Sequence, residues 1–331
     1  MINQLALTSC QKITLMPPNW LGDVIMAQPA LTAFCQAYPN ADIFIVGRPW
    51  LEDLLPFLNL GAHVSYRHSL EKKSDATIIF PNSFRSAWQA FCSGSSIRVG
   101  FKKEARSLLL THAYKPQVDV MTQHHRGYFI DLLEQMGIPV TQQEVQLPRS
   151  KESIQEGRLL MSKHGLNADK VICIAPGAHF GGAKRYPSES YAYILAWLAK
   201  KGWQPLILGA NTEKEVGEKC LSRITSTPHW NSAGETSLKQ ALQLVSASHL
   251  MLCNDSGLMH VAAGMGIPTV GIFGATLPER TAPSGTNTKV LYQPAPCSPC
   301  LKRECTVAGQ PCMTNILPET VYHSCLDMLP A

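Results

Sequence analysis

The chain is predicted to be an α/β protein built of two Rossmann-like halves. Three observations lead there. Short apolar runs rich in β-branched residues alternate with amphipathic stretches from end to end. A polar tract near the middle breaks that alternation, which then starts again. The length, 331 residues, exceeds the size at which one hydrophobic core keeps growing.

In the first half, residues 13–16 read as a strand, followed by a Pro-Pro turn and an amphipathic helix over about 22–38. A strand over 41–46 (ADIFIV) and a helix over 50–58 follow. Residues 76–80 (ATIIF) read as a buried strand leading to a helix near 83–91, and a helix over 126–136 closes the half. Residues 141–152, polar, aperiodic and containing Pro148, read as the linker, so the domains are expected at 1–150 and 151–331. The second half reads as a strand over 171–175 (VICIA), a helix over 187–201 opening on Pro, and a strand over 205–208. Helices over 213–223 and 238–247, a strand over 250–253, a helix over 257–266 and a strand over 269–273 complete it. Two such halves imply a cleft between them. Open α/β sheets bind ligands beyond the carboxyl ends of their strands, so the loops after strands are where chemistry is sought.

Composition narrows the function classes. Hydrophobic residues make up 45% of the chain and charged residues only 16%, which predicts an exposed apolar patch, of the kind that meets a lipid. The net charge of +5 is spread over isolated residues, without the dense basic stripe or interleaved aromatics of a nucleic-acid binder. Residues 1–16 lack a basic run followed by an unbroken apolar stretch, so no secretory leader is expected. The most apolar segment, 249–275, is interrupted by Asp255, His260 and Pro268 and reads as a strand-helix-strand unit, not a membrane span. A cytosolic protein is expected, and its 11 cysteines should then be mostly thiols.

Three loops that follow strands carry candidate chemistry. In Pro17-Pro18-Asn19-Trp20-Leu21-Gly22-Asp23, Asp23 falls at a helix start, where the macrodipole favours negative charge. It suits both a helix cap and a carboxylate that takes a proton from a hydroxyl. In the 175–187 segment (APGAHFGGAKRYP), Gly177, Gly181 and Gly182 precede Lys184 and Arg185. Bare amides and cations there suit a diphosphate, or else form a surface loop with solvated charges. In the 254–260 segment (NDSGLMH), the amides of Ser256 and Gly257 at a helix start suit a phosphate, and Asp255 suits loop ordering or sugar hydroxyls. His260 is a donor-site candidate or a packed residue. No dinucleotide fingerprint, H-E-x-x-H or G-x-S-x-G occurs.

Together, the 18–23 loop, GAHFGGAKRYP and NDSGLMHVAAGMGIPTVGIFG resemble the ADP-heptose:lipopolysaccharide heptosyltransferases, glycosyltransferase family 9, in order from Ile13 to about Ala282. The 81–87 segment (PNSFRSA) and GAKRYP are more similar to the type II members than to type I. The resemblance implies a GT-B fold, two Rossmann-like domains facing across a cleft, with an acceptor-side N-terminal domain and a C-terminal domain that binds ADP-L-glycero-D-manno-heptose. It implies inversion at the anomeric carbon without a divalent ion, and transfer to a lipid A–core acceptor at the inner face of the bacterial inner membrane. It assigns Asp23 as general base, Lys184 as the donor-phosphate contact, Asp255 with Ser256 and Gly257 as the donor loop, and Glu213 as the ribose contact, with Glu215 close by. Asn19, Trp20, Lys102, Lys103 and Arg106 are acceptor-side candidates, the last three also as part of a lipid-facing surface with Trp88, Phe91, Phe101 and Leu108–Leu110. Another GT-B transferase, a nucleotide-sugar epimerase and a non-catalytic nucleotide-sugar-binding regulator are the alternatives.

One motif stands apart. Cys297-x2-Cys300-x4-Cys305-x6-Cys312 offers four thiols to a structural, non-catalytic zinc, or four free thiols.

Overall fold

The computed structural model describes residues 7–70, 72–119 and 121–330. The stretch read for a leader begins with residues 1–6, which lie outside the described residues. The chain divides into two compact units, with the division between Gln146 and Leu147, inside the polar tract.

Unit 1 holds a parallel sheet of β1 (Lys12–Met16), β2 (Asp42–Val46), β3 (Val64–Arg67), β4 (Ala76–Ile79), β5 (Ile97–Phe101) and β6 (His112–Tyr114), in the order β3-β2-β1-β4-β5-β6. It is accompanied by α1 (Leu21–Ala37), α2 (Leu51–Leu58), α3 (Phe84–Cys92) and α4 (His125–Gln135). Unit 2 repeats the plan with β7 (Val171–Ala175), β8 (Gln204–Ile207), β9 (Trp230–Asn231), β10 (Met251–Asn254), β11 (Thr269–Phe273) and β12 (Thr288–Tyr292), in the order β12-β11-β10-β7-β8-β9. Its helices are α5 (Lys151–Lys163), α6 (Ser188–Lys200), α7 (Lys214–Leu221), α8 (Leu238–Ala247), α9 (Gly257–Gly264), α10 (Pro278–Thr281), α11 (Pro311–Thr314) and α12 (Pro318–Met328).

The sequence dictates this layering directly. β4, β7, β10 and β11 are buried along their whole length, as central strands of a parallel sheet covered on both faces must be. Each sheet is the Rossmann order, three strands wound one way and three the other. The winding reverses between β1 and β4 in unit 1 and between β7 and β10 in unit 2, pairs that are hydrogen-bonded neighbours. Neighbouring loops diverge there, and the loops after those four strands contain all three candidate segments. Among the described residues no helix is long and apolar enough to cross a membrane.

Candidate active site

At the switch point of unit 1, Trp20 occupies the N-cap of α1 and makes no side-chain capping bond. Asp23 is thus not the cap; it lies in the first turn of the helix. Beside it is His125, whose Nε2 stands 3.9 Å from Asp23 Oδ1. His125 is the first residue of α4, so two helix N-termini, each a partial positive charge, converge on this carboxylate. A chain of side chains runs back from there. His125 stacks on Tyr128 with ring centroids 5.6 Å apart, the Tyr128 hydroxyl accepts from Asn82 Nδ2 at 2.6 Å, and Asn82 follows β4. Burial pushes the Tyr128 phenol up, against the opposing pull of the Asn82 hydrogen bond.

Arg106 completes the chain, and here the expectation of an exposed cation is corrected. The residue is 1% exposed, and its Nη1 donates to Pro81 O at 2.5 Å and reaches Asn82 Oδ1 at 3.5 Å. Gly100 makes the room: a Cβ there would lie 2.9 Å from Arg106 Nη2. Burial lowers the guanidinium's pKa, with Tyr128 opposing. Arg106 ties the loop after β4 to the turn after β5 and cannot meet lipid or acceptor from the surface. Asn19 and Trp20 are exposed beside Asp23, and Lys102 and Lys103 are exposed at the end of β5.

At the switch point of unit 2, Lys184 Nζ lies 2.5 Å from Asp255 Oδ2, with both side chains largely buried. The same oxygen accepts from Thr276 Oγ1 at 2.7 Å, and Thr281 Oγ1 is 3.5 Å away. Beneath this pair, Asn254 stitches the loop after β7 to the end of β10. Its Nδ2 donates to Pro176 O at 2.6 Å and Gly177 O at 3.3 Å, and its Oδ1 accepts from Tyr186 N at 3.2 Å and the Tyr191 hydroxyl at 3.0 Å. Ser256 is the N-cap of α9 without capping it through its side chain, and Gly257 opens the helix. His260 is buried within α9.

The loop glycines are required by the protein's own packing. A Cβ on Gly177 would collide with the Glu213 carboxylate, and one on Gly181, where φ is +154°, with the carbonyl of Arg303. One on Gly182 would lie 2.6 Å from Glu304 Oε2. The room they leave is filled by protein: Glu213 is seated over the loop, and the 301–310 segment lies along it. Ala183 N donates to Arg303 O at 2.9 Å, Gly182 N to Glu304 Oε1 at 3.2 Å, and Gln310 Nε2 to Ala183 O at 2.8 Å. Glu213 Oε2 also accepts from Ala210 N at 2.9 Å, whereas Glu215 pairs with Lys219 on the exposed side of α7.

Of the four clustered cysteines, Cys312 is buried in the first turn of α11, 2.9 Å from where a Gly274 Cβ would sit, and Cys305 Sγ is turned to Val307 O at 3.4 Å. Cys297 is exposed and Cys300 half-buried, all four as free thiols. Among the described residues no group of three or more His, Cys, Asp or Glu side chains is arranged to hold a metal, although, after burial, Cys297, Cys305 and Cys300 are near enough to Cys312 to raise its thiol.

Sequence reasoning missed His125 and Tyr128, which lie in a tract without a strand-loop-helix signature, Asn82, quoted only within the 81–87 segment and given no role, and Thr276, Thr281 and Gln310, which carry no motif. The pairing His124-His125 immediately before an amphipathic helix was the available signal for the first.

Of the residues weighed as either core or lipid-facing, Trp88 and Phe91 are exposed, while Phe101 and Leu110 are buried. Phe84 joins them: the rings of Phe84, Trp88 and Phe91 stack in series along α3, with centroids 6.4 and 5.9 Å apart. The Arg98 guanidinium lies 5.3 Å over Phe91, and Leu108 is 88% exposed.

Two units of Rossmann strand order, each with candidate loops at its switch point, define an α/β protein of the class that binds ligands beyond the carboxyl ends of its strands. Residues 64–310 match the model of glycosyltransferase family 9 (heptosyltransferase). The chain is 32% identical over 308 residues to lipopolysaccharide heptosyltransferase 2 of Escherichia coli K12, covering 85% of this chain and 87% of that protein. It is 31% identical to the Salmonella typhimurium protein of the same name, covering 85% and 87%. The solved structure of E. coli ADP-heptose LPS heptosyltransferase II superposes with a TM-score of 0.79 at 26% identity, covering 96% of this chain and 98% of that one. A family 9 glycosyltransferase from Veillonella parvula, 20% identical, shares the fold with a TM-score of 0.78, covering 97% and 98%. The chain belongs to glycosyltransferase family 9: it is a glycosyltransferase of the GT-B fold.

Proposed function

We propose that this enzyme is an inverting type II heptosyltransferase, moving L-glycero-D-manno-heptose from ADP-heptose to heptosyl-Kdo2-lipid A during lipopolysaccharide core assembly. The observation that carries the reading is the pair of sites at the two switch points. One presents a carboxylate between two helix N-termini; the other presents cations, hydroxyls and an uncapped helix start. In this account unit 1 takes the acceptor and unit 2 the donor. Asp23 accepts the proton of the acceptor hydroxyl, whose oxygen bonds to the anomeric carbon from the face opposite ADP. The bond from that carbon to the β-phosphate oxygen breaks, and ADP leaves with the electron pair. Glu213, seated over Gly177, is placed for the ribose hydroxyls. The chain's own cations and amides stabilise the leaving diphosphate, without a divalent ion.

The acceptor is amphiphilic, so the enzyme works at the cytoplasmic face of the inner membrane. The α3 ridge supports this: from Phe80 to Lys103 the sequence holds Arg85, Arg98, Lys102 and Lys103 and no acidic residue. Three stacked rings amid uncompensated cations suit an anionic lipid surface, each cation contributing about 1 kcal/mol near it.

ADP release tests the reading. A transferase releases ADP only when acceptor accompanies ADP-heptose. Conversion of the sugar nucleotide without acceptor would mark an epimerase, and no turnover would mark a binding protein.

A further inference from the structure

The side chains that run back from Asp23 begin at a buried cation and end on an imidazole. Arg106 is 1% exposed, and its Nε and Nη2 have no hydrogen-bond partner, a costly state for a charge. Its Nη1 donates to Pro81 O and faces Asn82 Oδ1 at 3.5 Å. That sets which way the Asn82 amide lies, so Nδ2 points to the Tyr128 hydroxyl, 2.6 Å away. On the tyrosine ring held there lies His125, 9° from parallel, while the Phe129 ring stands nearly perpendicular to it with centroids 4.9 Å apart. The two rings fix the plane of the imidazole, and Nε2 is the atom turned to Asp23.

The charges around that ring favour its neutral form. His125 opens α4 and so meets the partial positive end of the helix. Arg106 lies beyond Tyr128, Arg126 follows directly and pairs with Glu144, and His124, the N-cap, is turned to Arg126 N. Against these stand the Asp23 carboxylate and Asp131, which acts on Tyr128 from the next turn of α4. A neutral imidazole beside a carboxylic acid can take its proton, whereas an imidazolium cannot. Resting on Asp23 as the base, we propose that His125 is the second acceptor of the transferred proton. The O–H bond of the acceptor hydroxyl breaks, and its electron pair forms the bond to the anomeric carbon. The proton goes to Asp23 Oδ1 and on to His125 Nε2, while ADP leaves with the electron pair of the bond it loses. The 3.9 Å contact closes to hydrogen-bond length for this step, as catalytic contacts do when substrate binds. Both side chains are partly exposed, so His125 returns the proton to water between turnovers. Tyr128, Asn82 and Arg106 are positioning residues that act through the imidazole.

The pH dependence of ADP release, with ADP-heptose and heptosyl-Kdo2-lipid A supplied, tests the assignment. Protonation of His125 blocks the second transfer, so wild-type turnover should fall as pH drops through the imidazole range, about 6.5. His125→Gln should slow turnover at about pH 8 by about tenfold, less than loss of the base itself. Its remaining activity should persist down to the carboxylate range, about 4, because Asp23 alone then titrates. Tyr128→Phe keeps the ring under His125 and should keep the wild-type limb, whereas Tyr128→Leu should behave as His125→Gln does. His125→Ala should regain rate when free imidazole is added. A limb that stays in place in His125→Gln overturns the inference, and leaves Asp23 as the base where Asp23→Asn is inactive. If His125→Gln does not fold, a His125→Ala rate unmoved by imidazole overturns it equally. Near-normal turnover by Asp23→Asn would overturn the base reading and this inference with it.

Discussion

His125 Nε2 lies 3.9 Å from Asp23 Oδ1, and the two residues come from the first turns of different helices. A carboxylate between two helix starts faces their partial positive charges, which suits the proton-accepting role proposed for Asp23. Asp23→Asn should keep the shape of the helix start yet lose the proton acceptor. Transfer should fall by about 10²–10⁴-fold, with ADP affinity within a few-fold of wild type. His125→Ala, which frees the carboxylate to turn, should slow transfer less. Steady-state rates and ADP calorimetry on both variants check the pair; near-normal turnover by Asp23→Asn removes Asp23 as the base.

Asn254 satisfies four groups at once, two carbonyls, an amide and a phenol. Asn254→Ala strands them in a buried site, where each unpaired group costs about 1–3 kcal/mol. Unfolding in denaturant should show unit 2 destabilised by roughly 3 kcal/mol or more. A loss below about 1 kcal/mol would mean that the loop after β7 is held by other contacts.

The thiols should titrate apart. Burial first, then the neighbouring Cys297, Cys305 and Cys300, push the Cys312 thiol up, and burial takes Cys173 to about 12. A raised thiol pKa means little thiolate at pH 8, so Cys312 and Cys173 should react slowly there and faster as pH climbs. The exposed Cys92 and Cys297 should be alkylated first, as peptide mass mapping will show. Early labelling of Cys312 would contradict its place in the core.

Replacing Phe84, Trp88 and Phe91 with Ser should weaken sedimentation with anionic vesicles and leave ADP affinity unchanged. Lys102→Ser/Lys103→Ser should instead flatten the salt dependence of vesicle binding. Equal sedimentation of wild type and aromatic variant would free the α3 ridge of any lipid role.

The sequence announced what depends on apolar runs and on Gly, Pro and charge in loops. β1, β2, β4, β7, β8, β10 and β11 were legible because central parallel strands are nearly all apolar. Edge strands were not: β3 (VSYR), β6 (HAY), β9 (WN) and β12 (TKVLY) are short or partly polar, as edges tend to be, and the inner β5 (IRVGF) was hidden by Arg98 and Gly100. The helix α5 was hidden in part within the presumed linker, since its buried face is Ser153, Gly157 and Met161. Small residues serve there because α5 lies close against α8, where a Gly157 Cβ would strike the Gln243 carbonyl. Asp23, Lys184 and Asp255 were legible as residues, whereas the partners that set their chemistry, His125 and the threonines, were not. Arg106 shows why charge alone misleads: a cation close to two lysines read as acceptor- or lipid-facing, and Gly100 and the Pro81 carbonyl place it inside.

Mass spectrometry of lipid A–core acceptors incubated with ADP-heptose tests the central claim most directly. The account predicts that a core bearing one heptose gains the mass of one more and that a heptose-free Kdo2-lipid A gains none. Addition to the heptose-free core, or no addition to either, would contradict it.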